Sequence, residues 1–134
     1  MTHSIAQAAQ HSGLSIDTLR YYERIGLIDP PARDSGGRRN YSEEDLAWLG
    51  FLTKLRTTGM PIRLMREYAQ LRHQGVASAS RRKQILIDHR TDVLERIADL
   101  HACLDVLNYK ITNYEKCERD MLANMSQFAE EATA

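Results

Sequence analysis

Proline and glycine are scarce and unevenly placed. The chain has three prolines and seven glycines in 134 residues. From about Ser80 to about Met121 there is neither. A stretch without helix breakers or turn residues predicts one long helix there. Cysteine is also scarce, with two in the chain, which rules out a disulfide framework and points to a reducing, cytoplasmic setting. No window reaches the roughly 18 apolar residues of a membrane span. The start, "MTHSIAQAAQ", lacks the basic residues and apolar run of a secretory signal. There is no Gly-rich phosphate loop, no Cys/His quartet and no Ser/His/Asp arrangement, and the five histidines are scattered, so an enzyme is not expected.

Net charge is zero, but it is not evenly spread. Residues 1–83 hold 13 Lys and Arg against 8 Asp and Glu, a net +5, and residues 84–134 hold 5 against 10, a net −5. A basic N-terminal part joined to an acidic C-terminal part separates a binding surface from a partner element.

The pattern reads as five helices and one non-helical insert. Ser4 caps a first helix with Ile5, Ala8 and Ala9 on one face. Gly13 turns the chain, Ser15 caps a second helix with Asp17 in its first turn, and Gly26 stops it before Leu27. Two short helices joined by a tight Gly-containing turn are a helix-turn-helix pattern. In "DPPARDSGGRRNY" (29–41), Pro30 and Pro31 forbid a helix and Gly36-Gly37 favours a reversal, so a wing is expected with Arg38 and Arg39 near its tip. Ser42 caps a third helix whose apolar face is Leu46, Leu49, Leu52 and Leu55. Pro61 opens a fourth, with Ile62, Met65, Tyr68 and Ala69 facing inward.

Val93, Ile97, Leu100, Leu104, Leu107, Ile111 and Tyr114 alternate in steps of four and three, an a/d heptad seam. As helix it spans roughly 31 Å. Four short helices cannot cover it, so homodimerisation is expected. The expected organisation is a DNA-binding domain at 1–75, a connector at 76–80, a dimerisation helix at 81–121 and a flexible tail at 122–134.

The second helix carries the candidate chemistry. Neighbouring residues on a helix point about 100° apart, so Tyr21 and Tyr22 cannot both face one core. The N-terminal part of the second helix of a helix-turn-helix enters the major groove. Here it offers Ser15, Thr18, Arg20 and Tyr21, with Arg24 beyond. Hydroxyls and arginines suit phosphate and base-edge contacts. Arg38, Arg39, Asn40 and Tyr41 would add a second anchor from the wing.

"LSIDTLRYYERIGLI", followed by "GRRNYSEEDLAWLGFLTKLRTTGMPI", resembles the mercury-resistance-regulator (MerR) family of bacterial transcription factors. The likeness covers residues 4 to about 70. It departs from the family pattern in the wing, where Arg38 stands at a position usually Tyr. The resemblance implies a mainly all-α fold: a winged helix-turn-helix domain followed by a long antiparallel coiled-coil dimerisation helix. It implies a homodimer on a near-palindromic operator, inside a promoter whose spacer is long. An effector-bound dimer would distort that DNA so that RNA polymerase reads both promoter elements. By the same resemblance Thr18, Arg20, Tyr21, Arg24, Arg39 and Tyr41 contact double-stranded promoter DNA, with Tyr22 shared between contact and packing. No cofactor and no membrane partner are implied, and the effector is not named.

The short aldehyde- or redox-responsive subgroup is the nearer likeness, through "DVLNYKITNYEKC" in the long helix. Some of its members respond to electrophiles through a cysteine in or near the third helix, and this sequence has none there. Metal-sensing members place cysteines around the end of the long helix. Here Cys103 and Cys117 lie fourteen residues apart, near one helix face but roughly 21 Å apart along it. One chain cannot bring both to one ion, so no metal is expected. A soft-metal site across an antiparallel dimer, the alternative reading, requires the helices to cross near residue 110. No large ligand-binding domain is expected after residue 121. The competing class is a coiled-coil interaction module that meets protein instead of DNA. Exposure of Arg20, Arg24 and Arg39 on one side separates the two, since burial in ion pairs would favour the module.

Overall fold

The computed structural model describes residues 2–133. Short strand β1 (Thr2–His3) leads into α1 (Ile5–Ser12) and α2 (Ile16–Arg24). Strands β2 (Ala32–Arg33) and β3 (Arg39–Ser42) follow, then α3 (Glu43–Thr57) and α4 (Ile62–Arg72). A 3-10 turn, Gly75–Ser78, precedes α5 (Ala79–Thr133). The fold is mainly helical with a small wing and a long C-terminal helix, as the sequence led one to expect. It divides into two compact units, Met1–Arg90 and Thr91–Ala134.

Local chemistry sets the helix ends. Ser4 and Gln7 form a reciprocal capping box on α1, and Ser42 and Asp45 form another on α3. Each satisfies two N–H groups that a helix start leaves without partners. Gly13 takes a left-handed φ of 77° and returns its N–H to the Ala9 carbonyl. That conformation costs glycine little, and it reverses the chain between α1 and α2.

The sheet has the order β1-β3-β2, all antiparallel. Thr2 pairs with Ser42 and His3 with Tyr41 on one side, and Ala32 with Asn40 and Arg33 with Arg39 on the other. β1 has no counterpart in the sequence reading, because two residues show no alternation. It is held by its ladder and by His3 Nε2, which lies 2.8 Å from Glu43 Oε1. That hydrogen bond holds the Glu43 carboxyl below its ordinary range.

The apolar faces of α3 and α4 supply most of the core. Leu46, Leu49, Leu52 and Leu55 are all buried, as are Met65 and Ala69. They pack with Leu19 and Tyr22 of α2, Tyr41 of β3 and Met60. Trp48 is half-buried on the same helix. Its indole N–H donates to the Leu27 carbonyl at 2.9 Å, and its ring stacks on Tyr68 with centroids 5.9 Å apart. The Arg72 guanidinium lies 3.7 Å from the Trp48 centroid, a cation–π contact.

The first compact unit reaches Arg90, well past residue 75, because the start of α5 belongs to its core. Ile85 is buried there, and Arg81 reaches Glu67 at 2.8 Å. At the other end, residues 122–133 continue α5, where a flexible tail was expected. That stretch contains no proline or glycine to end a helix. Ala134, the last residue of the expected tail, lies outside the described residues. Among the described residues no helix is long and apolar enough to cross a membrane.

Leu52 is completely buried. Replacing it with alanine removes methyl groups and leaves a cavity, so Leu52→Ala should lower unfolding stability by about 2–5 kcal/mol. Urea denaturation followed by circular dichroism measures this, with the midpoint falling and the slope unchanged.

Candidate nucleic-acid interface

α2 is nine residues long, and its two sides are chemically distinct. Leu19 and Tyr22 point into the core, at 0% and 4% exposure. The helical period then turns Arg20, Tyr21 and Arg24 outward, and all three are exposed. Tyr21 keeps 40% of its surface in water. The Arg24 guanidinium lies 5.6 Å from its ring centroid, close enough to restrict both side chains. At the helix start the Ser15 hydroxyl accepts the Thr18 N–H at 3.0 Å and donates to the Thr18 hydroxyl at 2.8 Å. Both groups stand at the positive end of α2, where backbone N–H groups favour an anion.

The wing is a hairpin built around Asp34. Its carboxylate accepts N–H groups from Gly36 at 2.9 Å and Arg38 at 3.0 Å. Gly37, at φ 79°, closes the turn, and Arg33 donates to the Gly37 carbonyl at 2.7 Å. Arg38 is exposed beside this turn. Arg39 is not free. Its Nε donates to Glu23 Oε2 at 2.8 Å, with the two side chains 24% and 14% exposed. This pair ties the wing to α2. Asn40 is half-buried on the same strand.

Two of the tyrosines named as candidate DNA contacts are buried: Tyr41, and Tyr22, which the sequence leaves shared between contact and packing. Tyr22 is buried because α2 needs an apolar partner for Leu19 one turn on, and burial pushes its phenol above the ordinary range. Tyr41 is 1% exposed. Side chains alternate along a strand, and Tyr41 takes the inward side of β3. Its hydroxyl is buried and makes no hydrogen bond among the described residues. Burial raises its pKa, the Glu23 carboxylate adds to the rise, and Arg39 opposes it.

The sequence reading passed over two arginines. Arg66 of α4 donates from Nε to the Ile25 carbonyl at 3.0 Å, at the end of α2. Arg56 of α3 is exposed and close enough to Tyr22 to lower its phenol pKa against the effect of burial. Both contacts join residues more than thirty positions apart in the chain, so no local pattern announces them.

The remaining candidates lie on α5. Val93 is half-buried, and Ile97, Leu100, Leu104, Leu107, Ile111 and Tyr114 are 45–69% exposed. Cys103 and Cys117 are exposed free thiols. Among the described residues no three His, Cys, Asp or Glu side chains gather as a metal site. A cleft of about 160 Å³ beside Trp48, Tyr41 and Arg72 is smaller than the about 300–1,000 Å³ usual for a small-molecule pocket.

Known proteins match this geometry. Residues 3–71 match the family described as MerR HTH family regulatory protein, and residues 46–109 match the one described as MerR, DNA binding. The HTH-type transcriptional regulator AdhR of Bacillus subtilis is 44% identical over 92 residues, 69% of this chain and 66% of its own length. A crystal structure assigned to the MerR family of transcriptional regulators, from Listeria monocytogenes, superposes with a TM-score of 0.85 at 35% identity. That match covers 96% of this chain and 98% of the other. HiNmlR, a MerR family regulator lacking the sensor domain and solved bound to promoter DNA, has a TM-score of 0.80 at 34% identity. It covers 88% of this chain and 94% of its own. Because the likeness runs from the first helix into α5 at this identity, the protein belongs to the MerR family of helix-turn-helix transcriptional regulators, which are not enzymes.

Proposed function

We propose that the protein acts in the cytoplasm as a homodimer on a near-palindromic operator, within a promoter whose spacer is long. On binding an effector, an electrophile, an oxidant or another small molecule, the dimer distorts that DNA and activates transcription by RNA polymerase. The observation that carries this reading is the outward face of α2. Arg20, Tyr21 and Arg24 stand together in water while Leu19 and Tyr22 fix the helix from behind. Arg20 and Arg24 are exposed, which favours DNA, while Arg39 spends its charge on Glu23. A relative solved on promoter DNA supports the same reading.

In the proposed complex Arg20, Arg24 and Arg38 meet phosphates, Tyr21 and Thr18 add hydroxyl contacts, and Ser15 presents the start of α2. Arg39, Asn40, Tyr22 and Tyr41 hold the surface in shape. The exposed stripe of α5 forms the dimer. Burying side chains of this size against a second copy is worth about 1.5–3 kcal/mol each, enough to hold two chains together.

Arg20→Ala should weaken operator binding and flatten its salt dependence by about one unit of slope, the loss of one phosphate contact. Fluorescence anisotropy across a salt series reads both, and an unchanged slope would remove Arg20 from the DNA. Tyr41→Phe deletes a buried hydroxyl without a partner, so it should leave operator affinity unchanged and stability equal or higher. A large loss of affinity on the same titration would return Tyr41 to the interface. Leu104→Asp places a charge in the α5 stripe and should yield a monomer by light scattering, while the circular dichroism of the N-terminal unit persists.

A further inference from the structure

Trp48 is the chain's one tryptophan, and it lines a cleft whose other walls carry charge. Asp29, Tyr41, Glu44, Asp45 and Arg72 line the same cleft of about 160 Å³. An open groove of about 420 Å³ shares Glu44, Trp48 and Arg72 with it and adds Ala47, Phe51 and Tyr68. All of these residues belong to the N-terminal unit.

One of the three carboxylates is left unanswered. Asp45 accepts the Ser42 N–H at 2.9 Å and caps α3. Asp29 Oδ1 lies 3.2 Å from His73 Nε2. Glu44 is exposed and has no ion pair among the described residues. Tyr41 adds a buried hydroxyl that makes no hydrogen bond among the described residues.

The aromatic side completes the chemistry. Trp48, Phe51 and Tyr68 gather with ring centroids 5.8–5.9 Å apart. Aromatic faces beside carboxylates suit an organic cation, because the ring quadrupole attracts the charge and the carboxylate balances it. Such a cation is already there. The Arg72 guanidinium lies 3.7 Å from the Trp48 centroid. Yet Arg72 has no ion pair among the described residues, although three carboxylates share its cleft. It is the exposed last residue of α4.

We propose that the Trp48 face is a binding site for a small alkylguanidine, and that Arg72 occupies it until the ligand arrives. The ligand's guanidinium stacks on Trp48 in place of Arg72 and donates N–H groups to Glu44 and Asp29. A planar fork of donors suits carboxylates in this way, and a point-like ammonium does not. The cleft has room for this head group alone, so the alkyl chain leaves over Phe51 and Tyr68 along the groove. Arg72 swings into solvent on its long stem. Ligand and Arg72 compete for one ring face, so the apparent affinity is the intrinsic one reduced by the fraction of time that the face is free. The site needs neither a second copy nor DNA, so its test stands apart from the reading above.

The sole tryptophan gives one indole N–H resonance, which reports this place in the full chain by NMR. The chain is titrated with methylguanidinium chloride, with its neutral isostere methylurea, and with sodium chloride at matched ionic strength. Circular dichroism checks that the fold is kept. Methylguanidinium should move the indole resonance saturably, and the other two should not. Arg72→Ala removes the resident competitor and should tighten binding about three- to sixfold, the hold of an exposed cation–π contact. Arg72→Lys, which keeps the charge without the planar fork, should fall between Arg72→Ala and the wild type. Glu44→Gln should weaken binding about two- to fivefold. Pentylguanidinium should bind more tightly than methylguanidinium. No saturable shift in either the wild type or Arg72→Ala overturns the site. An equal response to methylurea overturns the cation, Arg72→Ala binding no tighter than the wild type overturns the competition, and a pentyl chain that adds nothing overturns the path along the groove.

Discussion

The inward pull on Leu19 and Tyr22 sets everything else in the N-terminal unit. α2 has nine residues, and two of them must be buried for it to dock at all. Once they are, the helical period leaves Arg20, Tyr21 and Arg24 no direction but outward. The leucines of α3 provide the surface they dock on, and the α3 capping box fixes where that surface begins. Arg66 then closes the end of α2 through the Ile25 carbonyl. The exposed face of α2 is therefore a by-product of packing, held by the core behind it.

Much of this was legible in the sequence because its causes are local. Ser4, Ser15 and Ser42 cap helices where their hydroxyls meet N–H groups three residues on. Leu46, Leu49, Leu52 and Leu55 recur at helical spacing, and all are buried. Gly36 and Gly37 mark the hairpin turn. What escaped the reading depends on distant partners. β1 exists through its pairing with β3, forty residues along the chain. The ion pair of Arg39 with Glu23, and the contacts of Arg56 and Arg66, join elements that only the fold brings together.

Tyr41 is a different case: the sequence groups it with Arg38, Arg39 and Asn40 as one anchor on the wing, but side chains alternate along a strand, and Tyr41 takes the buried side of β3. The flexible tail expected at 122–134 falls on residues that continue α5 as far as Thr133, where no proline or glycine opposes a helix.

The link between Arg39 and Glu23 has a consequence for how such a surface could recognise a polyanion. A guanidinium already answered by a carboxylate of its own chain releases few counterions when a phosphate arrives. In the proposed complex its work is dimensional: it fixes the gap between helix and wing into which the sugar-phosphate chain must fit. Attraction then comes from Arg20, Arg24 and Arg38, and discrimination among duplexes of different groove width from a spacer that is electrically almost silent.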